Sequence, residues 1–204
     1  MQRLVLASGN PGKLVEMREL LHDVGIATVA QAELGIEDVA ETGTTFLENA
    51  ILKARHAAKA SGLPALGEDS GLCVDALDGA PGLYSARYAG APGNSHANIA
   101  KLLDALRDTP TEQRGAYFYC ALVLMRHAED PMPLVCEGTW EGRILEAPRG
   151  DRGFGYDPVF YDPLMGLAAA EMDLGSKHRV SHRGQALLKL RWAMTRGRIA
   201  YALR

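Results

Sequence analysis

Two adjacent carboxylates, Glu68 and Asp69, precede Ser70 and Gly71 in the segment GEDSGLCV and lie between two short apolar runs. We interpret PALGEDSGLCV as a strand, a turn centred on residues 68–71, and a second strand. Because side chains alternate between the two faces of a strand, only one of the two acids is expected to point into a site unless the chain turns there. The alternative is a turn without chemistry, since turns favour Asp, Ser and Gly.

The segment SGNPGK follows the apolar run RLVLA and precedes a helical pattern. It consists of Ser8, Gly9, Asn10, Pro11, Gly12 and Lys13. A glycine loop between a strand and a helix presents free N–H groups and the positive end of the helix dipole, which suit a phosphate group. Ser8 and Asn10 can hydrogen-bond phosphate oxygens, and Lys13 can add a charge. The spacing does not match a Walker A motif. The structural alternative is that Asn10 caps the helix and Pro11 occupies its first position.

A carboxylate that faces a phosphate loop repels its ligand unless a cation lies between them, and Mg²⁺ with oxygen and water ligands fits that position. In phosphoryl chemistry the metal neutralises charge while a nearby carboxylate accepts a proton. Lys53 follows Asn49 by one turn of a predicted helix and could reach such a cleft, or could extend over the core into solvent. Glu41 precedes this helix and could be a metal ligand or an ordinary loop acid.

Two segments in the last third, GFGYDP and SKHRVSHRG, are predicted to be loops because they are polar or aromatic and contain glycine. Phe154 offers a face on which a base can stack, and Gly155 lets a ligand approach the backbone. Three residues of the second segment can donate hydrogen bonds: Lys177, His182 and Arg183. Arginine has only donors and therefore favours a carbonyl over an amino group. The structural alternative makes Phe154 and Tyr156 core aromatics and Ser181 the N-cap of the last helix.

The elements that must position these residues combine strand–loop–helix units with a hairpin. Helices are predicted at residues 13–25, 45–62, near 96–108 and at 185–203; strands are predicted at residues 3–7, 116–125 and 133–145, the last two as a long antiparallel hairpin. Thr45 and Glu48 have the spacing of a capping box at the start of the second helix. The pattern predicts an α/β fold with a mixed sheet, two lobes and a shared cleft.

Composition limits the class of protein. A chain of 204 residues with 47% apolar content is long enough for one buried core, so we expect a single domain over residues 1–204. The net charge of −3 argues against a protein that coats nucleic acid or a membrane surface. No segment has the length of a membrane span, and the N-terminal apolar run is too short for a signal peptide, so we expect a cytoplasmic protein. Three widely spaced cysteines in apolar runs indicate buried, reduced thiols.

Six motifs occur in a fixed order along nearly the whole chain: SGNPGK, ETGTTFLENAILKA, GEDSGL, GAPGLYSARY, FGYDPVF and SHRGQAL. Together they resemble the inosine triphosphate pyrophosphatase family, the Ham-type pyrophosphatases of non-standard purine nucleoside triphosphates. The resemblance implies an elongated mixed sheet with flanking helices and two lobes around a substrate cleft, in a homodimer. It gives no role to Arg87 or Tyr88 in the fourth motif.

The resemblance also implies a role for individual residues. Asp69 would coordinate Mg²⁺ and act as the general base, with Glu41 preferred to Glu37 as the second carboxylate at the metal and Glu68 as an auxiliary acid. The triphosphate would be held by residues Ser8 to Lys13 together with Lys53, and Ser70 would also contact the substrate. The base and sugar would be framed by Phe154, Gly155, Tyr156 and Asp157, with Lys177, His182 and Arg183 completing the purine pocket.

The implied reaction is hydrolysis between the α and β phosphates of ITP, dITP or XTP, which releases pyrophosphate and removes these nucleotides from the pool. Donors at the 6-position of the purine would favour a keto group and reject the amino group of adenine. Two alternatives stay open at this point: a pyrophosphatase for pyrimidine or other modified nucleotides, and a nucleotide-binding sensor without turnover. The base pocket distinguishes the first alternative, and replacement of Asp69 distinguishes the second.

Overall fold

The computed structural model describes residues 3–22, 25–90 and 93–195. The strands are β1 (Leu4–Ala7), β2 (Thr28–Ala30), β3 (Ala65–Val74), β4 (Gly115–Met125), β5 (Leu134–Ile144), β6 (Phe160–Asp162) and β7 (Leu167–Ala168). The α-helices are α1 (Pro11–His22), α2 (Phe46–Ser61), α3 (Ser95–Ala105), α4 (Leu174–Val180) and α5 (His182–Thr195), and short 3-10 helices connect several of these elements.

The strands within the described residues form one seven-stranded sheet in the order β2-β1-β3-β4-β5-β6-β7. β1 pairs in parallel with both β2 and β3, whereas β5, β6 and β7 pair antiparallel. The N–H of Ile144 donates to the carbonyl of Arg114 at 2.9 Å, which brings the end of β5 beside the start of β4, as in a hairpin. The predicted α/β class with a mixed sheet and a long hairpin is therefore confirmed.

The chain divides into two compact units. As far as these ranges are described, the first comprises Met1–Asp69, Cys120–Gly138 and Arg183–Arg204, and the second comprises Ser70–Tyr119 and Thr139–His182. Each has its own apolar core: Leu4, Leu66 and Leu122 belong to the first, and Leu72 and Leu102 to the second. That residues 1–204 form a single domain with two lobes stays a prediction.

Helix α2 begins and ends where its sequence predicts. The side chain of Thr45 accepts a hydrogen bond from the backbone N–H of Glu48, the Glu48 carboxylate accepts from the N–H of Thr45, and Gly62 ends the helix at φ 67°. These contacts fix the first turn, so Asn49 and Lys53, about one and two turns further on, have a fixed direction. The capping box is confirmed.

Strand β3 corrects one prediction. The chain does not turn at residues 68–71 but continues as one ten-residue strand, Ala65–Val74, in which every residue except Ser70 is buried. Gly67 permits this burial because α2 packs directly on it: a Cβ atom there would lie 2.6 Å from the backbone nitrogen of Ala54. Glu68 and Asp69 therefore obey strand alternation and point to opposite faces.

The last third corrects another prediction. Within residues 176–184, which were expected to be a loop, residues 176–180 belong to α4 and residues 182–184 to the start of α5, with Ser181 between the two helices. Asp173 caps α4, because its carboxylate accepts from the N–H of Ser176 at 2.8 Å, and Gly175 and Gly184 are accommodated inside the helices. Helix α5 begins at His182 rather than near Gln185, and the predicted end of this helix lies outside the described residues.

The three cysteines are free, reduced and buried, as predicted. Burial raises the pKa of the Cys120 thiol well above its usual value and raises the pKa of Cys136 to about 11. These thiols are protonated at neutral pH and have no reactive thiolate. In the described part of the chain, no helix is both long enough and apolar enough to cross a membrane.

The turn between β4 and β5 is held by the carboxylate of Asp130. It accepts hydrogen bonds from the backbone N–H of Arg126 at 3.0 Å, from that of Met132 at 3.1 Å and from Nε of Arg126 at 2.8 Å. The Arg126 guanidinium, with smaller contributions from the backbone N–H groups, holds the pKa of the Asp130 carboxyl well below its usual range, although burial opposes this shift.

A carboxyl group whose pKa falls on folding stabilises the folded state above its unfolded pKa of about 3.9, and loses that effect as the pH drops through the folded pKa. Asp130→Asn is therefore expected to lower the free energy of unfolding by about 1 kcal/mol at pH 7, since solvent screens the exposed side of Arg126. The difference from the unmodified protein should shrink steadily below pH 4. Urea unfolding at pH 7 and pH 3 measures both values.

The matched control is Glu129→Gln, which removes an exposed negative charge from the same turn. It should leave the free energy of unfolding unchanged at both pH values. An Asp130→Asn difference that is the same at pH 7 and pH 3 would contradict the assigned role of the carboxylate.

Candidate active site

The phosphate loop, residues Ser8 to Lys13, lies between β1 and α1 in the first unit. Register places its start: Ala7 is opposite Gly67 in the parallel pair of β1 and β3, so Ser8 follows at the level of Glu68. The side-chain oxygen of Asn10 accepts from the N–H of Lys13 at 3.2 Å, and the hydroxyl of Ser8 accepts from the N–H of Asn10 at 3.2 Å. Asn10 therefore caps α1, and the cap also orders the loop.

Gly9 shows why this loop needs a residue without a side chain. A Cβ atom there would collide with the carboxylate of Asp38, which in turn accepts a hydrogen bond from the buried side chain of Gln31. Asp38 thus packs against the loop backbone, a contact that the sequence pattern did not reveal. Its only sequence signal was membership of the acidic segment EDVAE.

Asp69 and Glu41 converge on the ammonium group of Lys53. Nζ of Lys53 lies 2.9 Å from Oδ1 of Asp69 and 2.8 Å from Oε1 of Glu41. Asn49 donates to the second oxygen of Asp69 at 3.3 Å. Burial lowers the pKa of Lys53, but the charges of Asp69 and Glu41 outweigh this effect, so the pKa is raised and the amine stays protonated. Of the two acids considered as the second carboxylate, Glu41 contacts Lys53, the residue that also contacts Asp69.

The residues around Asp69 are of the kind that can hold a divalent cation. The carboxylates of Asp69 and Glu41 both contact the nitrogen of Lys53, and one or two carboxylates with waters are the ligands that Mg²⁺ takes beside a phosphate substrate. No group of three or more His, Cys, Asp or Glu side chains suited to a metal occurs among the described residues. Among these residues, a metal site closed by such side chains alone is therefore excluded. A site with two carboxylates that substrate and water complete is compatible with this finding.

Glu68 makes contacts on the other face of β3. Nη2 and Nε of Arg183 donate to its two oxygens at 2.9 and 3.0 Å, and Nη1 of Arg183 contacts Glu16. Nζ of Lys13 lies 3.4 Å from Glu68. Burial lowers the pKa of Arg183, but the charges of Glu68 and Glu16 outweigh this effect. The pKa is therefore raised overall, and the guanidinium is charged. Glu68 thus connects the last helix to the phosphate loop.

The predicted base site lies in the second unit, around residues Gly153–Asp157, which we call the base loop. Oδ2 of Asp157 accepts from the N–H of Phe154 at 2.8 Å and from Nζ of Lys177 at 2.6 Å. The Lys177 ammonium also lies 4.9 Å from the centre of the half-buried Phe154 ring. Gly153 and Gly155 have positive φ, and a Cβ on Gly153 would collide with Asp157. An aromatic face, a cation and a carboxylate therefore lie together.

Two further residues of the predicted pocket are buried. His182 stacks on Phe118 with the ring centres 4.8 Å apart and an angle of 11° between the planes. Tyr156 belongs to the core of the second unit, and its hydroxyl donates to the carbonyl of Ser85. Ser70 is the single half-buried residue of β3. The roles given to these residues by the resemblance stay predictions.

Sequence reasoning missed several partners of the predicted residues. Glu16 on α1, Phe118 on β4 and Ser85 in the fourth motif each contact a predicted site residue. Glu16 is buried on α1, and a buried acid indicates a paired charge, but the sequence pattern did not mark it as buried.

The buried network predicts a large stability effect. Arg183→Met leaves Glu68 and Glu16 without their main cation in the interior, and such a loss typically costs about 3–5 kcal/mol. The free energy of unfolding should fall by this amount in urea unfolding at pH 7. Arg191→Met, which removes an exposed charge from the same helix, is the control and should change stability by less than about 0.5 kcal/mol. Equal effects of the two changes would show that the network does not stabilise the protein.

Comparisons with known proteins identify the family of the chain. The Ham1 family model matches residues 4–193. A dITP/XTP pyrophosphatase of Xanthomonas axonopodis pv. citri (strain 306) is 64% identical over 190 residues, which cover 93% of this chain and 96% of that protein. A HAM1 protein from Coxiella burnetii is 51% identical with a TM-score of 0.89, over 97% of this chain and 100% of that one; the Ham1 protein of Staphylococcus aureus is 39% identical with a TM-score of 0.84, over 95% and 98%. The chain belongs to the Ham1 family.

Proposed function

We propose that this protein is a Mg²⁺-dependent pyrophosphatase that hydrolyses dITP, ITP and XTP to the nucleoside monophosphate and pyrophosphate. The observation that carries the proposal is the convergence of Asp69 and Glu41 on Lys53, beside the parallel strand whose end opens into the phosphate loop. The names of the relatives support the choice of substrate, since the Xanthomonas protein is called a dITP/XTP pyrophosphatase.

Asp69 would act as the general base. Each carboxylate oxygen has two lone pairs, and among the described residues Asp69 accepts one hydrogen bond on each oxygen, from Lys53 and from Asn49. The carboxylate is therefore oriented by two donors and still has lone pairs that can accept the proton of an attacking water. Attack on the α phosphorus then releases pyrophosphate as the leaving group.

The loop residues and two lysines would hold the triphosphate. Lys13 at the start of α1 adds its charge to the positive end of the helix, and Lys53 provides a second cation from α2. Mg²⁺, when bound, would supply charge neutralisation at the phosphates, and Asp69 and Glu41 are the residues that would hold it.

The base loop would select the purine. Phe154 offers a stacking surface, and Lys177, fixed by Asp157, can donate to a keto oxygen but cannot accept from an amino group. Adenine would present an amino group to this donor, and two donors that face each other cannot form a hydrogen bond, which is costly in a buried site. We also propose a homodimer, for which the resemblance of the motifs to the family is the support, and a cytoplasmic location, for which the expectation from the sequence is the support.

The first experiment is turnover of dITP, ITP, XTP, GTP, ATP and dTTP with Mg²⁺, with pyrophosphate and orthophosphate separated among the products. Pyrophosphate released mainly from dITP, ITP and XTP, and lost on addition of EDTA, is the expected result. Preference for dTTP would favour the pyrimidine alternative, and orthophosphate as the product would overturn the proposed bond cleavage.

Asp69→Asn is expected to lower kcat for dITP at least a hundredfold, because a general base contributes about 10²–10⁴ to the rate. The control is Asp78→Asn, an isosteric change at a position with φ 49°, a conformation that Asn tolerates well. Full activity in the Asp69 variant would exclude its role as base, and nucleotide binding without any turnover in the unmodified protein would favour the sensor alternative.

Lys13→Ala and Lys53→Ala are each expected to raise the KM for dITP about tenfold, because a hydrogen bond to a charged phosphate is lost. Inhibition by inorganic tripolyphosphate should weaken in parallel, since the lysines act on the phosphates and not on the base. Lys59→Ala, an exposed lysine near the end of α2, serves as the control. If the double variant Lys13→Ala/Lys53→Ala binds tripolyphosphate normally, the phosphate site lies elsewhere.

A further inference from the structure

The segment Gly82–Arg87, a short 3-10 helix in the second unit, belongs to the motif that received no role above. The backbone carbonyl of Ser85, within this segment, accepts two hydrogen bonds. One comes from the hydroxyl of Tyr156 at 2.9 Å and the other from Nδ2 of Asn98 at 3.3 Å. Both lone pairs of this carbonyl are therefore used, and the atom joins the base loop to α3.

The side chain of Ser85 fixes the segment to β3. Its hydroxyl accepts from the backbone N–H of Leu72 at 2.9 Å and donates to the carbonyl of Gly82 at 2.6 Å. A hydroxyl that both accepts and donates in this way holds its backbone in one position. The position of the Ser85 carbonyl, the acceptor for Tyr156, is therefore fixed.

Asn98 on α3 holds the same segment from the other direction. Its side-chain oxygen accepts from the N–H of Ala89 at 2.7 Å, and its Nδ2 donates to the carbonyls of Ser85 and Ala86 at 3.3 Å each. The residue is 4% exposed. A buried amide with three partners is a structural support whose loss leaves polar groups unpaired.

Tyr156 connects this support to the base loop. It is 4% exposed and packs in the core of the second unit, while Phe154 and Asp157 on either side of it carry the base-recognising groups. Burial raises the pKa of the Tyr156 hydroxyl, so the group keeps its proton and needs an acceptor. The Ser85 carbonyl is that acceptor.

We propose that Tyr156, Ser85 and Asn98 are positioning residues for base recognition: they fix the base loop through the hydrogen bond from Tyr156 to the Ser85 carbonyl. Their effect reaches the nucleotide through Phe154, Asp157 and Lys177, so it concerns the base and leaves the phosphates unaffected. This inference rests on the proposed function and adds residues from a motif to which that function gave no part.

The test is Tyr156→Phe, which removes only the hydroxyl. The KM for dITP should rise about fivefold to tenfold, the loss expected for one buried hydrogen bond, while the inhibition constant of inorganic tripolyphosphate stays within about twofold. Ser85→Ala should act in the same direction, because the segment that carries the acceptor loses its contact with β3. Tyr161→Phe is the matched control. It also removes one tyrosine hydroxyl, but the contacts of Tyr161 with Arg143 and Arg149 are made by the face of its ring.

The experiment distinguishes failure of the positioning role from failure of the proposed function. Absence of dITP turnover in the unmodified protein would defeat the proposed function itself. If the unmodified protein turns over dITP but Tyr156→Phe leaves its KM unchanged, or raises the KM and the tripolyphosphate constant equally, the positioning role is overturned. Should Tyr156→Phe fail to fold by circular dichroism, Asn98→Ser provides the same comparison of KM with the tripolyphosphate constant.

Discussion

The side chains of β3 alternate between two faces, and this period of two is the constraint on which the candidate site depends. Because the strand continues through Glu68 and Asp69 without a turn, the two neighbouring carboxylates are forced to opposite faces. Asp69 meets Lys53 and Asn49 from α2, while Glu68 meets Arg183 from α5. One dipeptide therefore contacts two separate helices and serves two purposes.

The two faces of β3 carry different ionic contacts. On the Glu68 face, the carboxylates of Glu68 and Glu16 both contact the guanidinium of Arg183, and Glu68 also lies 3.4 Å from the ammonium of Lys13. On the Asp69 face, the carboxylates of Asp69 and Glu41 both contact the ammonium of Lys53. Each carboxylate of the dipeptide is therefore held by cations from a different part of the chain.

Local pattern was sufficient for elements whose signals are local. The capping box at Thr45, the glycine stop at Gly62 and the apolar run of β1 each predicted an element that the structure contains. The prediction of a turn at residues 68–71 was wrong. It relied on Asp, Ser and Gly, which are typical of turns, whereas pairing with the neighbouring strand and burial decide the conformation here. The helices near residue 180 were missed because the polar segment SKHRVSHRG ends in glycine and was interpreted as a loop, although Asp173 supplies the N-cap of α4.

The site was predictable only in its residues and not in their contacts. Arg183 contacts partners 115 and 167 residues away in the chain, and no local pattern reports pairing over such distances. For the same reason the sequence offered a base contact for Arg183 but gave no sign of its ion pairs with Glu68 and Glu16. Motif order identified the family, because six short segments together are far more specific than any single one.

The small size of Gly67 affects the charged contacts of the neighbouring acid Asp69. The backbone of α2 approaches this glycine so closely that a methyl group would lie 3.0 Å from the Cβ atom of Ala54, and the next two residues of the strand are the two acids. Adding a side chain here would force the helix away from the strand and carry Asn49 and Lys53 with it. Asp69 would then lose both of its donors at once, although no charged atom had been altered. The absence of a side chain at Gly67 therefore sets the distance between β3 and α2, and with that distance the ion pair of Asp69 with Lys53.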